Sequence, residues 1–289
     1  MDENTLHSIV LDLQVKNHAV VPTAMGPRVH ALFHQLINQF DPALSTRLHI
    51  RPGYRPFTVS LLSGVLSEGK CVVFHNGQLC RLRITLFDSG QIWHGLRRHF
   101  LEAGPIFVHV GGAKMQLIRI LSTPSTDPTG WVRSTDWSTL VRLPPKRVIT
   151  FHFASPTAFN MGNRHFELLP EPTFVWESLL RVWNTYAPAC FQFEKQELRE
   201  SVERQIDVVK SDLYTETLLF SEYTQKGFLG TCQYVIHDHA MVAPQLTTLA
   251  AFAYYAGVGY KTTMGMGQVQ IEFDDALAKP GANCPQANG

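Results

Sequence analysis

The sequence predicts an α+β fold of two tandem ferredoxin-like domains, each an antiparallel sheet with helices on one face. Three observations lead there. The chain has 289 residues, enough for two domains of ordinary size, and 45% of them are hydrophobic, enough for packed cores. Apolar spacing yields the order strand, helix, strands, helix, strand, and yields it twice, at a separation of roughly 140 residues. Between the two halves runs "STPSTDPTGWVRSTDW", rich in Ser, Thr, Pro and Asp. The expected division is an N-terminal domain over 1–123, a linker over 124–145, a C-terminal domain over 146–280 and a tail over 281–289.

Each element has its own warrant. "LHSIVLDLQV" alternates and reads as a strand. "PRVHALFHQLINQF" sets Val29, Leu32, Phe33, Leu36, Ile37 and Phe40 at helical spacing, so a helix starts near Pro27 and stops before Asp41-Pro42. "PFTVSLLSGV", "KCVVFHNG" and "QLCRLRITLFD" are β-rich, and Asn76-Gly77 predicts a hairpin turn between the last two. "SGQIWHGLRRHFLEAG" is a second helix, capped by Ser89 and closed by Gly104. "PIFVHVGGAKMQLIRIL" returns as strand.

In the second half "KRVITFHFASPTAF" is a strand. "PTFVWESLLRVWNTYA" is a helix burying Phe174, Leu179, Leu180, Trp183 and Tyr186. "KGFLGTCQYVIH" is a strand, "PQLTTLAAFAYYAGVG" an apolar helix ending at Gly257, and "GMGQVQIEF" the final strand. "HDH", from His237 to His239, reads as a polar turn.

The net charge is only +1, low for a broad electrostatic grip on nucleic acid. The charge is nevertheless segregated. Arg28, Arg47, Arg51 and Arg55 stand against Asp41, with His30, His34 and His49 interleaved. Arg133, Arg142 and Lys146 form a second group, and acids gather between Glu194 and Glu222. A solvated face and a ligand surface both explain such clusters. No apolar run reaches the roughly 18 residues of a membrane helix. "MDENTLHSIVLDLQV" lacks the basic start and apolar block of a signal peptide, so a cytoplasmic protein is expected. The five cysteines show no C-x-x-C pair and are expected to be buried free thiols.

"GVGYKTTMGMG", Gly257 to Gly267, holds four glycines around Lys261, Thr262 and Thr263. Gly257 and Gly259 suit a left-handed helix end. Gly265 and Gly267 open the expected last strand, where glycine marks close backbone approach. A loop so poor in Cβ atoms exposes successive N–H groups, which make an anion-binding concavity. It is neither a Walker A loop, lacking the closing Gly-Lys-Ser/Thr, nor a dinucleotide fingerprint, since it lies between a helix and a following strand. Contact with a phosphate backbone and a purely structural crossing both remain open on these residues.

This loop resembles the C-terminal glycine-rich motif of the repeat-associated RAMP proteins. With its central "GYK" and closing "GMG", it is similar to that of the CRISPR RNA-processing endoribonucleases, the Cas-six family. "HALFHQLINQFDPALSTRLH" with "RPFTVSLLSG" is similar to the family's first helix, post-helix histidine and next strand. "FHFASPTAF", "PEPTFVWESLLRVWN" and "GFLGTCQY" are similar to second-domain elements, in the right order. The resemblance implies metal-independent cleavage within CRISPR repeat RNA, leaving 5′-hydroxyl and 2′,3′-cyclic phosphate ends. Its alternative is a non-catalytic RAMP-type RNA-binding subunit of a CRISPR effector complex, and a protein scaffold is a third reading. Repeat RNA is the implied partner; other Cas subunits and a second copy are further ones. No cofactor and no metal are implied.

Such cleavage needs a base for the 2′-OH, an acid for the leaving oxygen and a cation for the phosphorane. Histidine suits the first two and Arg or Lys the third. Positions that carry a tyrosine, a histidine and a lysine in some family members correspond here to His34, His49 and Arg55. His49 is the expected proton-transfer residue, His34 its partner, and Arg55, or failing it Arg51 or Arg28, the cation. Arginine cannot also donate a proton at neutral pH. The expected RNA contacts are Arg28, Arg51, Gly257, Gly259, Lys261, Thr262, Gly265 and Gly267. His30 lies four residues before His34, a metal-binding spacing, but no third ligand is evident. Trp176, Trp183, Tyr254 and Tyr255 are expected in the core; Phe57 and Tyr54 are the better base-stacking candidates.

Overall fold

The computed structural model describes residues 5–87, 90–237 and 242–274. Ser89, Asp238, His239, Cys284 and the expected tail lie outside the described residues.

The N-terminal half runs β1 (Thr5–Val15), β2 (Ala19–Pro22), α1 (Met25–Phe40), α2 (Pro42–Ile50), β3 (Phe57–Val59), β4 (Leu66–Glu68), β5 (Cys71–Phe74), β6 (Leu79–Leu86), α3 (Gln91–Glu102), β7 (Ile106–Val110), β8 (Ala113–Leu121), β9 (Arg133–Asp136) and α4 (Trp137–Val141). Its main sheet has the order β3-β6-β1-β8-β7, with β9 joined to the start of β1. Counting β1, β3, β6 and β8 as the four strands, this is the ferredoxin-like order with β7 added at the edge. α1 buries Val29, Leu32, Phe33, Leu36 and Ile37 against it. Each such side chain contributes about 1.5–3 kcal/mol of burial.

The C-terminal half runs β10 (Val148–Thr157), β11 (Phe159–Gly162), β12 (His165–Glu167), α5 (Pro172–Tyr186), α6 (Lys195–Gln205), β13 (Ile206–Leu219), β14 (Thr224–Ile236), α7 (Ala243–Ala256) and β15 (Val269–Asp274). The sheet order β13-β14-β10-β15 repeats the ferredoxin-like pattern. Trp176, Trp183, Tyr254 and Tyr255 are core residues, as their spacing implies.

The structure corrects several expectations. Asn76-Gly77 does not close a hairpin: β5 pairs with β2 and β4 in a small separate sheet, while β6 pairs with β1 and β3. The turn hands the chain between sheets. Among the elements with no counterpart in the sequence pattern are α2, α6 and β13. β13 lies at the sheet edge and is mostly exposed, so it shows no apolar face to betray it. The segment expected as a linker is built into both halves. Its β9 pairs with β1, and Trp137 and Leu140 of α4 enter the C-terminal core. The described cysteines are free; Cys80 and Cys232 are buried, but Cys190 is exposed.

A buried polar seam joins the halves. Arg83, on β6, is 5% exposed. It donates to Ser8 Oγ, Gln268 Oε1 and the carbonyl of Tyr254, and its guanidinium lies against the rings of Trp131 and Tyr254, 4.3 and 4.6 Å from their centroids. Burial pushes its pKa down to about 10, so it is a cation at neutral pH, satisfied by acceptors from both halves.

Candidate active site

α1 and α2 meet at a sharp corner. Asp41 caps α2, its Oδ1 accepting from the N–H of Leu44 at 2.8 Å. Pro42 supplies the preset first turn. This second helix, absent from the sequence reading, carries His49 in its last turn. The corner folds His49 back over α1, where His30 and His34 lie one turn apart on a single face. Each of the three imidazoles offers a nitrogen, and these three atoms lie within 4.8 Å of one another. The His30 and His34 ring centroids are 4.8 Å apart, and those of His34 and His49 5.4 Å.

The three rings are not equivalent. His34 is the inner one: Nδ1 is 3.3 Å from Ser45 Oγ, and Nε2 is buried with no hydrogen-bond partner. Burial lowers its pKa to about 4, with the neighbouring histidines and Arg55 adding to the effect. His30 places Nδ1 3.1 Å from the carbonyl oxygen of Thr263. Its pKa is also lowered, chiefly by burial. His49 is exposed. Arg55 donates to the carbonyls of His49, Arg51 and Gly53, and so holds its cation at the end of α2.

His34, His49 and Arg55, expected together, lie in one place, and His30, whose spacing from His34 points only to a metal pair, joins them. The i, i+4 spacing was the available signal. Arg51 lies over the Tyr186 ring at 5.1 Å, and Tyr186 donates its hydroxyl to the carbonyl of Tyr54. A cleft of about 490 Å³ flanks α2 there, lined by Arg47, Ile50, Arg51 and Tyr186. Arg28, two residues from His30 and so on another face of α1, turns back on the carbonyl of Ala24. Phe57 is fully buried, stacked on Phe33 with centroids 4.0 Å apart, and cannot stack on a base. Tyr54 remains 39% exposed.

Of the two readings open for the glycine loop, a structural crossing is the one its glycines serve. β15 starts at Val269, so Gly265 and Gly267 precede the strand. Gly257, Gly259, Gly265 and Gly267 all have positive φ. A Cβ on Gly265 would lie 2.3 Å from the Leu61 side chain, and one on Gly267 2.2 Å from the Val258 carbonyl oxygen. Several of the loop's donors are used inside the protein. The N–H of Gly257 reaches Ala253 O, that of Val258 reaches Gly267 O, that of Gly265 reaches Val59 O and that of Gly267 reaches Pro156 O. Lys261 packs its ammonium against Phe220 and Tyr223, 4.0 and 4.7 Å from the ring centroids, and donates to the Tyr223 hydroxyl. Thr262 lies in a one-turn 3₁₀ helix with its methyl against Gly257 and Gly267. The loop thus docks the C-terminal half on α1 and β3, next to the histidines.

Two ferredoxin-like domains, a docking loop of glycines and a histidine cluster beside an arginine define a RAMP-type protein with a candidate histidine site. The family model described as CRISPR-associated endoribonuclease Cas6 matches residues 151–269, and that of the CRISPR Cas6 N-terminal domain matches 5–142. The chain belongs to the Cas6 family of CRISPR-associated endoribonucleases. Among solved structures, a Cas6 product complex is 28% identical, covering 92% of this chain and 100% of its own at a TM-score of 0.77. A Thermus thermophilus Cas6 is 27% identical, covering 93% and 99% at 0.70. A Cas6-related protein from Pyrococcus furiosus, 16% identical over 92% and 98%, shares the fold at 0.58. No curated protein matches the chain. Among the described residues, no helix is long and apolar enough to cross a membrane.

Proposed function

We propose that this chain cuts CRISPR repeat RNA within the precursor transcript, in the cytoplasm where that transcript is made, by attack of the RNA's own 2′-OH. The observation that carries the proposal is the convergence of His30, His34 and His49, with nitrogens within 4.8 Å, beside the Arg55 cation. Relatives in product and substrate-mimic complexes support RNA as the ligand.

His30 is the base. With its Nδ1–H directed at Thr263 O, a neutral ring keeps its lone pair on Nε2. That lone pair takes the 2′-OH proton as the 2′-oxygen bonds to phosphorus. His49, exposed at the end of α2, gives a proton to the 5′ oxygen as the P–O5′ bond breaks. The products are a 2′,3′-cyclic phosphate and a 5′-hydroxyl. Arg55, already fixed by three carbonyls, offsets the growing phosphorane charge. His34, with Nε2 buried, acts through the other two as a positioning residue. Side chains fill every role, so the step requires no metal. Arg51, Arg47 and Tyr54 supply the RNA-facing surface beside the site.

The test is repeat RNA incubated with the protein in EDTA, with a 2′-deoxy substitution 5′ to the cut as the control. Cleavage that stops with the substitution supports the mechanism. Cutting of the deoxy RNA refutes it, and tight binding without cutting favours the non-catalytic subunit.

A further inference from the structure

We propose that the three-histidine cluster is also a binding site for a late first-row divalent metal ion, zinc being the type case, and that an ion held there switches cleavage off. The binding half rests on geometry alone; the inhibition half rests on the reading of His30 and His49 as the proton-transfer pair.

Two ligands come from one face of α1 at i and i+4, and the third from the end of α2. The third ligand is what the sequence could not supply, because the corner at Asp41 creates it. The three donor atoms lie within 4.8 Å of one another. Zinc bonded to imidazole at about 2.0–2.1 Å sets its nitrogens about 3.4 Å apart in a tetrahedron. The rings must therefore draw in by a little over ~1 Å, within reach of a rotamer adjustment at the exposed His49.

Two further observations point to a ligand. His30 already directs Nδ1 at a backbone carbonyl, the outer contact that orients a metal-binding imidazole and frees its other nitrogen. His34 Nε2 is buried with no hydrogen-bond partner, and a buried polar atom left so calls for an explanation. An all-imidazole donor set suits zinc, copper or nickel and not magnesium. The Arg55 cation stands close by, which weakens any cation site and argues for micromolar rather than nanomolar affinity. A bound ion occupies the lone pair that His30 needs to accept the 2′ proton and ties down the His49 ring that must donate one. Inhibition follows directly.

The experiment has two arms. In the first, chelator-treated protein is titrated with zinc by calorimetry and with cobalt by visible absorption. One ion per chain, a micromolar Kd, an intense tetrahedral cobalt spectrum and no response to magnesium are expected. His30→Gln and His34→Gln, checked for folding by circular dichroism, each weaken zinc at least tenfold. Zinc affinity unchanged in both variants, or no binding to the wild type, overturns the site. In the second arm, repeat RNA is cut in EDTA, then with saturating zinc, then with EDTA restored. Loss of at least tenfold in rate, reversed by EDTA, is expected. Full-speed cleavage with zinc bound overturns the inhibition. No cleavage even in EDTA sinks the nuclease reading instead, and leaves the binding arm to decide the site on its own.

Discussion

His30 Nδ1 lies 3.1 Å from the carbonyl oxygen of Thr263, 233 residues further along the chain. One contact thus joins the first helix of the N-terminal half to the glycine loop of the C-terminal half. It couples the docking of the two domains to the tautomer of a residue in the site.

Loss of the proposed proton-transfer pair should remove chemistry and spare binding. His30→Ala and His49→Ala are each expected to slow single-turnover cleavage by roughly 10²–10⁴-fold, the usual worth of a general acid or base. RNA affinity should stay within about tenfold. His34→Gln should cost less and should not shift the cleavage pattern. Wild-type turnover in the His30 variant would discard its assignment as base.

The loop glycines should matter to fold and site together. Gly265→Ala combines a φ of +91° with a Cβ placed 2.3 Å from Leu61. A loss of about 1–3 kcal/mol is expected, read as a lowered Tm. Cleavage should fall further than stability, since Thr263 moves with the loop. Gly69→Ala, at φ +60° with nothing within 4 Å, is the control for backbone strain alone and should cost less.

Asp12 is fully buried on β1, directly opposite Arg81 on β6 and Arg119 on β8, and is ion-paired to both. Breaking a buried pair costs about 3–5 kcal/mol. The two arginine partners here are partly exposed and can rehydrate, so Asp12→Ala is expected to lose less, about 1–3 kcal/mol. A denaturant midpoint unchanged from wild type would show that the pairs add nothing.

Acid should destabilise the fold through its half-buried histidines. His7 packs beside Trp93, and burial, aided by the charge of His94, lowers its pKa to about 4. The unfolded value is about 6.5. Between those values the unfolded chain binds the extra proton, so stability is full above pH 6.5 and falls as the pH drops toward 4. Tm measured from pH 7.5 to 4.5 should decline, and His7→Phe should flatten part of that decline. An identical slope in the variant would show that His7 is not its source.

How much could be read beforehand differs by residue. The apolar stripe of α1, from Val29 to Phe40, prints its period directly, and so does the helix over 172–186. β13 could not be read this way, since an exposed edge strand needs no buried face. Asn76-Gly77 was a correct turn with the wrong outcome: turn chemistry acts over four residues, whereas the partner of β5 was decided by β2, about fifty residues upstream.

Taken alone, the order of residues determined the two repeated halves, the basic opening segment with its histidines, and the four positions that must be glycine. Local periodicity and backbone sterics act between neighbours, so a linear string records them. Only the tertiary structure decided that His30 joins His34 and His49, that Phe57 is buried, and that the glycine loop serves as a dock with several of its N–H groups bonded inside the protein. Those outcomes depend on which long-range carbonyl, ring or strand arrives opposite each group, and packing sets that partner once the two halves close on each other.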